Sequence, residues 1–189
     1  SRIGSKFLDS GPGFGGSCFK KDILNLVYLA RFYGLYEVAD YWLNVVKIND
    51  YQIQRFIDKI ESKLENIHNK TTSILGWAFK KQTNDSRESP SIYISKRLLE
   101  KGAKLNIYDP MVPYNKIIRD IENILLESEH KKSQVNKLLK NISIFNSISD
   151  TLMESDGIII VTNWDEFIDF DWAKFLSSTS KKPFIFDGR

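Results

Sequence analysis

Cysteine is nearly absent from this sequence: Cys18 stands alone in 189 residues. That excludes an internal disulfide and fits a reducing compartment such as the cytoplasm. Histidine is almost as scarce. His68 and His130 are the only two, neither has a companion at metal-ligand spacing, and no metal is expected. No apolar run approaches the length of a membrane span, and no signal peptide is visible. Charge of one sign is also missing in excess. A net charge of +3, with Lys and Arg interspersed among Asp and Glu, is too mild to indicate nucleic acid. There is no initiating Met, no internal repeat and no low-complexity tract. We expect a piece excised from a longer protein, long enough for one good core plus an accessory element.

What is present in concentration is glycine and proline, in residues 11–16, just before Cys18. A backbone without Cβ atoms approaches a ligand closely and adopts left-handed conformations. Helical periodicity begins immediately afterwards, so Cys18 falls at a helix N-terminus. Unpaired N–H groups there favour an anion, and a cysteine in that place is more readily a thiolate. Asp22 lies four residues on and Lys21 three, so both return to the face of Cys18. The ordinary role of a lone cysteine is a small buried hydrophobe. Nucleophile, carboxylate and cation on one helix face make a more specific pattern.

The chain then reads as two parts. Residues 18–33 form one helix, ended by Gly34. Residues 37–65 form a second, with a stripe including Val38, Tyr41, Trp42, Val45, Ile48, Ile53, Phe56, Ile57, Ile60 and Leu64. At about 1.5 Å per residue it spans about 40 Å, too long for a purely internal rod in so small a domain. It is expected to join domains or form a subunit interface. After 66 the periodicity becomes strand-like. Short β-prone runs near 72–76, 104–108, 142–145, 157–161 and 183–186 alternate with helical stretches. The fold class is therefore α/β: a long connecting or dimerisation helix, then a Rossmann-like doubly wound parallel sheet. We divide the chain into 1–66, the cysteine loop and helical region, and 67–189, the sheet domain.

In such a sheet, ligands bind beyond the carboxyl ends of the strands. Phe79-Lys80-Lys81, Thr162-Asn163-Trp164 and Asp187-Gly188-Arg189 all fall on that edge. No G-x-G-x-x-G follows the first strand. A nucleotide held by Lys and Arg is thus favoured over a dinucleotide held by glycines.

The run Gly11-Pro12-Gly13-Phe14-Gly15-Gly16-Ser17-Cys18-Phe19, with Lys21-Asp22, resembles the catalytic segment of the UDP-glucose 6-dehydrogenase family of nucleotide-sugar dehydrogenases. Ser1-Arg2-Ile3-Gly4, Phe7-Leu8, Phe79-Lys80-Lys81, Thr83, Asp85, Arg87-Glu88-Ser89 and Phe186-Asp187-Gly188-Arg189 fit the same family, in the same order. Gln82 departs from the acidic residue often found at its position. The resemblance implies oxidation of UDP-glucose to UDP-glucuronate with two NAD, through a thiohemiacetal and a thioester on Cys18, with Asp22 assisting hydrolysis. It implies substrate contacts from Arg2 (towards a neighbouring subunit), Phe7, Phe14, Gly15, Phe79, Lys80 and Arg189. It also implies cofactor contacts from Lys21 and Arg87, and a homo-oligomer of at least two subunits. Rival readings are a GDP-mannose or UDP-N-acetylhexosamine dehydrogenase, or a nucleotide-binding dimerisation module. The family's dinucleotide domain precedes the segment present here, so this chain alone is expected to be inactive.

Overall fold

The computed structural model describes residues 10–128 and 130–189. Helix α1 (Phe19–Phe32) begins directly after Cys18, its N-cap residue. Gly34 stops it with φ +72°, the left-handed conformation glycine supplies at a helix end. The Gly34 N–H bonds to Arg31 O, and the Leu35 N–H to Ala30 O. Helix α2 (Tyr36–Leu64) turns back against α1 and runs 29 residues. Its last carbonyl, on Leu64, accepts a bond from Lys70 Nζ at 2.5 Å.

Five strands follow: β1 (Thr71–Leu75), β2 (Lys104–Tyr108), β3 (Ile142–Ile144), β4 (Gly157–Ile160) and β5 (Phe184–Asp187). All pair in parallel, in the order β3-β2-β1-β4-β5. Thr71 opposes Lys104 on one side of β1, and Thr72 opposes Gly157 on the other. The chain leaves β1 in one direction through β2 and β3, then returns to β4. That reversal puts the topological switch point between β1 and β4.

Helix α3 (Pro90–Glu100) crosses from β1 to β2, opened by the Ser89 N-cap and Pro90. The stretch 115–140 reads as one helical run in sequence but forms two helices, α4 (Tyr114–Glu127) and α5 (Lys132–Leu139). Gln134 Oε1 accepts the Lys131 N–H and starts α5 afresh. The sequence reads as short helices over 149–154 and 171–177, where α6 (Ile148–Leu152) and α8 (Trp172–Ser178) form, whereas α7 (Asp165–Ile168) has no counterpart in that reading. Four residues are too few to show a period.

The apolar stripe of α2 divides in two. Ile53, Ile57, Ile60 and Leu64 are buried in the main core with the sheet, and Phe56 packs against that core. Nearer its start, Ala39, with Trp42 and Leu43, packs against Val27 and Ala30 of α1 in a small separate cluster. Val38, Tyr41 and Ile48 are exposed. The sequence reading, in which a stripe from 38 to 64 exceeds what one small sheet domain covers, is therefore corrected for its second half. The sheet reaches that half because Gly157 leaves room for the Leu64 methyls, 3.2 Å from where a Cβ would stand. Among the described residues, no helix is long and apolar enough to cross a membrane.

Candidate functional site

The carboxyl edge of the sheet is organised by Asp109, which follows β2. Its Oδ2 accepts the N–H groups of Trp77 (2.6 Å) and Ala78 (2.9 Å) and the Trp164 indole N–H (3.2 Å). Its Oδ1 accepts the N–H groups of Met111 (2.9 Å) and Val112 (2.8 Å). One buried carboxylate thus ties the turns after β1, β2 and β4 together. Thr162 Oγ1 adds a bond to Ala78 O at 2.6 Å. Dinucleotide folds spend an acidic residue near the end of the second strand on the ribose hydroxyls. Here Asp109 is spent on five protein donors, so this sheet lacks that acceptor as well as the glycine fingerprint.

The turn after β1 delivers Phe79 and Lys80 to the edge, where Lys80 Nζ stands 5.4 Å from the Phe79 ring centre. Arg189 reaches the same place from β5. Its Nε donates to Val161 O at 2.8 Å, and one terminal nitrogen lies 3.5 Å from Phe79 O. Beside it opens a cavity of ≈ 510 Å³, lined by Ile160, Asn163, Trp164, Trp172, Asp187 and Arg189. It lies beyond β4 and β5, where open parallel sheets bind ligands. A second recess of ≈ 360 Å³, between α2 and α3, is bounded by paired charges, including Arg97 and Glu100.

The glycine loop crosses this edge and is fastened on three sides. A Cβ on Gly11 would stand 2.8 Å from the Arg189 guanidinium. At Gly13, φ is +148°, and Ile53 of α2 leaves no room for a Cβ. Asn49 of α2 donates to Phe14 O (3.2 Å) and accepts the Phe14 N–H (2.7 Å). A Cβ on Gly15 would meet Glu88 O at 2.5 Å and Phe79 Cβ at 3.0 Å. The Gly16 N–H donates to Arg87 O at 2.8 Å. Phe14 then meets Phe19 edge-to-face, with ring centres 4.7 Å apart.

Cys18 emerges from this loop exposed, with its Sγ 3.6 Å from Ser17 Oγ. The Asp22 N–H donates to Cys18 O, one turn of helix away. Lys21 and Asp22 form an exposed ion pair at 2.8 Å. Arg87 forks onto Asp85, with contacts of 3.0 and 2.8 Å. The Asp85 partner, chiefly through those bonds, raises Arg87 further above its usual range, and nearby Cys18 adds a small contribution. The bond to Asp22 likewise raises Lys21, with a smaller contribution from Cys18. Both cations thus interact electrostatically with Cys18, each while paired with its own carboxylate.

The structure thus gathers Cys18, Lys21, Asp22 and Arg87 in one cluster, and Phe79, Lys80 and Arg189 in another. Gly15 abuts both. Phe14 borders the first cluster through Phe19. Arg2 and Phe7 lie outside the described residues. Trp164 is packed, as its sequence context suggests, and its indole N–H belongs to Asp109. Sequence reading gives no role to Asn49, Glu88 or Asp109, although Glu88 stands in the Arg87-Glu88-Ser89 run. For Asn49 a signal existed: it is the polar residue inside an apolar stripe, between Val45 and Ile53. Among the described residues, no group of three or more His, Cys, Asp or Glu side chains is placed to hold a metal.

Burial, the hydrogen bond to Glu88 and the charge of that carboxylate push the Tyr93 hydroxyl up to about 12. Burial and Glu166 do the same for Tyr108. Both are acids whose folded-state values lie above the ordinary tyrosine value of about 10. Their contribution is complete below pH about 10 and is lost as pH rises towards 12. The melting temperature should therefore fall more steeply between pH 10 and 12 in the parent than in Tyr93→Phe. Parallel curves for the two proteins would contradict this.

Residues 73–189 match the UDP-glucose/GDP-mannose dehydrogenase family, UDP binding domain, and residues 1–51 match the central domain of the same family. The chain is 45% identical over 193 residues to UDP-glucose 6-dehydrogenase 2 of Arabidopsis thaliana, with all of this chain and 40% of the relative covered. It is 46% identical over 189 residues to UDP-glucose 6-dehydrogenase of Gallus gallus, of which 37% is covered. Among solved structures, a UDP-glucose dehydrogenase from the archaeon Pyrobaculum islandicum superimposes with TM-score 0.72 at 28% identity, over 100% of this chain and 37% of that one. A ternary complex of GDP-mannose dehydrogenase from Pseudomonas aeruginosa gives 0.68 at 26% identity, over 100% and 38%. The chain spans about 40% of the length of the curated relatives it matches.

Proposed function

This chain belongs to the UDP-glucose/GDP-mannose dehydrogenase family, and from that premise we propose that it is the cysteine-bearing and UDP-binding part of an enzyme oxidising UDP-glucose to UDP-glucuronate. The observation that carries the reading is the contact of the cysteine loop with the nucleotide edge: Gly15 against Phe79, and Gly11 against Arg189. A sugar on a diphosphate held at Lys80 and Arg189 extends along this loop towards Cys18. The sequence relatives cited, at 45% and 46% identity, carry the name UDP-glucose 6-dehydrogenase, which favours glucose over other sugars.

The division into 1–66 and 67–189 follows the same reading, with the sulfur on the first part and the nucleotide on the second. NAD, when bound, supplies the hydride acceptor for both oxidations. Lys21 and Arg87 suit its diphosphate, being exposed cations that interact electrostatically with Cys18. The Cys18 thiolate adds to the carbonyl carbon of the aldehyde formed in the first oxidation. Departure of hydride from that adduct leaves a thioester. Asp22 takes a proton from water as the water attacks the thioester carbon. The thiolate leaves, and a carboxylate is released. Such chemistry requires a reduced thiol, and we place the protein in the cytoplasm for that reason.

The partner is a second copy of the chain. Phe32, Tyr33, Tyr36, Tyr41 and Ile48 form an exposed apolar surface on α1 and the first half of α2. Substituting Ile48→Asp should lower the mass measured by sedimentation at micromolar concentration. Phe56→Asp damages the chain's own core instead and tests stability, not assembly. An unchanged mass for Ile48→Asp would remove this surface from the interface.

The nucleotide assignment is tested by titrating UDP, GDP and NAD separately while following the melting temperature. A ligand at 100 times its dissociation constant stabilises by about 2.7 kcal/mol. UDP should raise the midpoint, and Lys80→Ala with Arg189→Ala should abolish the rise. A rise with NAD and none with UDP would overturn the assignment of this sheet.

A further inference from the structure

We infer that Glu88 is a positioning residue: latched by Lys20 and Tyr93, it holds the turn 85–89 against the glycine loop and so sets Arg87 beside Cys18. The inference rests on the reading of Cys18 as the reactive group. Glu88 has φ +54°, a left-handed conformation that a side chain with a Cβ adopts at a cost. Its backbone and side chain are both engaged. The carbonyl oxygen fills the space where Gly15 lacks a Cβ. The carboxylate accepts from Lys20 Nζ at 2.8 Å and from the Tyr93 hydroxyl at 2.5 Å.

Lys20 projects from the first turn of α1, two residues past Cys18. Tyr93 projects from α3 of the sheet domain. The carboxylate therefore bridges the two parts of the chain between the helix that carries the thiol and the helix that follows β1. It is also half-buried, in contrast to the exposed pairs around it. Burial alone would raise the Glu88 carboxyl, yet the bonds from Lys20 and Tyr93 outweigh it and hold the group below its usual range.

The neighbouring residue carries the consequence. Arg87 accepts the Gly16 N–H on its carbonyl, and Asp85 orients its guanidinium by a fork. Loosening residue 88 releases the φ restraint next to Arg87 and the packing on Gly15. The charged groups around the sulfur are Lys21 and Asp22 from α1, and Asp85 and Arg87 from the turn. Glu88 controls the second pair without contacting the thiol.

Because Cys18 is the chain's single cysteine, the rate of its alkylation by iodoacetamide against pH reports on the thiol alone. In Glu88→Gln the midpoint of that profile should rise, because the guanidinium that favours the thiolate is no longer held by the turn. In an Arg87→Ala background the same substitution should produce no further rise. Tyr93→Phe removes one arm of the latch and should give a smaller rise. It decides the matter if Glu88→Gln does not fold. A destabilising core change, Ile121→Val, should lower the melting temperature and leave the midpoint in place. An unchanged midpoint in folded Glu88→Gln and Tyr93→Phe would overturn the inference, as would an equal rise with Arg87 absent. Since alkylation needs no turnover, this failure is distinguishable from a Cys18 that is not the nucleophile, which an active Cys18→Ala enzyme would reveal.

Discussion

Replacing Cys18 by alanine in the full-length enzyme should leave binding of UDP-glucose nearly unchanged while carboxylate formation falls on the order of a thousandfold or more. Binding energy comes from the sheet edge, where Lys80 and Arg189 stand, and the sulfur contributes little of it. The second oxidation, in contrast, requires a tetrahedral adduct from which hydride can depart, and without the thiol that adduct is not formed on the protein. Calorimetry with UDP-glucose and chromatographic detection of the acid separate the two quantities. Weakened binding with unchanged turnover would make Cys18 a contact residue and nothing more. Cys18→Ser should form an ester that hydrolyses slowly, because an alkoxide is a poorer leaving group than a thiolate.

Replacing Asp109 by alanine should produce the largest loss of stability of any single polar substitution at the site. Five donors lose their acceptor: the N–H groups of Trp77, Ala78, Met111 and Val112, and the Trp164 indole. A buried donor left unpaired costs about 1–3 kcal/mol. Water entering the space recovers much of that, so we expect a net loss of about 4 kcal/mol. For a chain of this size that lowers the melting temperature by about 8–16 °C. Asp109→Asn keeps one carbonyl oxygen and should lose roughly half as much. UDP binding should weaken in parallel, because the Trp77–Ala78 turn presents Phe79 and Lys80. A melting temperature within about 2 °C of the parent would show that the turns hold their shape without the carboxylate.

Much of this architecture was legible in the sequence because local rules and global fold agree. The isoleucine run 158–160, apolar on both faces, reads as an inner parallel strand, and β4 is one. Gly34 and Gly102 sit at helix ends with positive φ, as the two breaks in periodicity require. The carboxyl-edge grouping of Phe79, Trp164 and Arg189 followed from strand direction alone. The α2 stripe was legible only as apolar. Periodicity gives a face without naming what covers it, so Ile57 facing the chain's own sheet and Ile48 facing outward look alike. What Asn49 and Glu88 hold was invisible for a different reason. Their partners, Phe14 and Lys20, lie 35 and 68 residues away, and no local pattern encodes such a pairing. Asp109 before Pro110 reads as a turn, which is correct, but its five donors come from three separate turns.

The central claim is that a covalent bond forms between the substrate carbon and Cys18, and it is tested most directly by the intact mass of an Asp22→Asn variant. Without the carboxylate, attack of water on the thioester should slow and the acyl-enzyme should accumulate. After mixing the full-length variant with UDP-glucose and NAD, we expect a single adduct, mapped by proteolysis to the peptide bearing Cys18 and absent from Cys18→Ala/Asp22→Asn. An adduct that persists in the double variant, or its absence while the single variant still turns over slowly, would contradict the account.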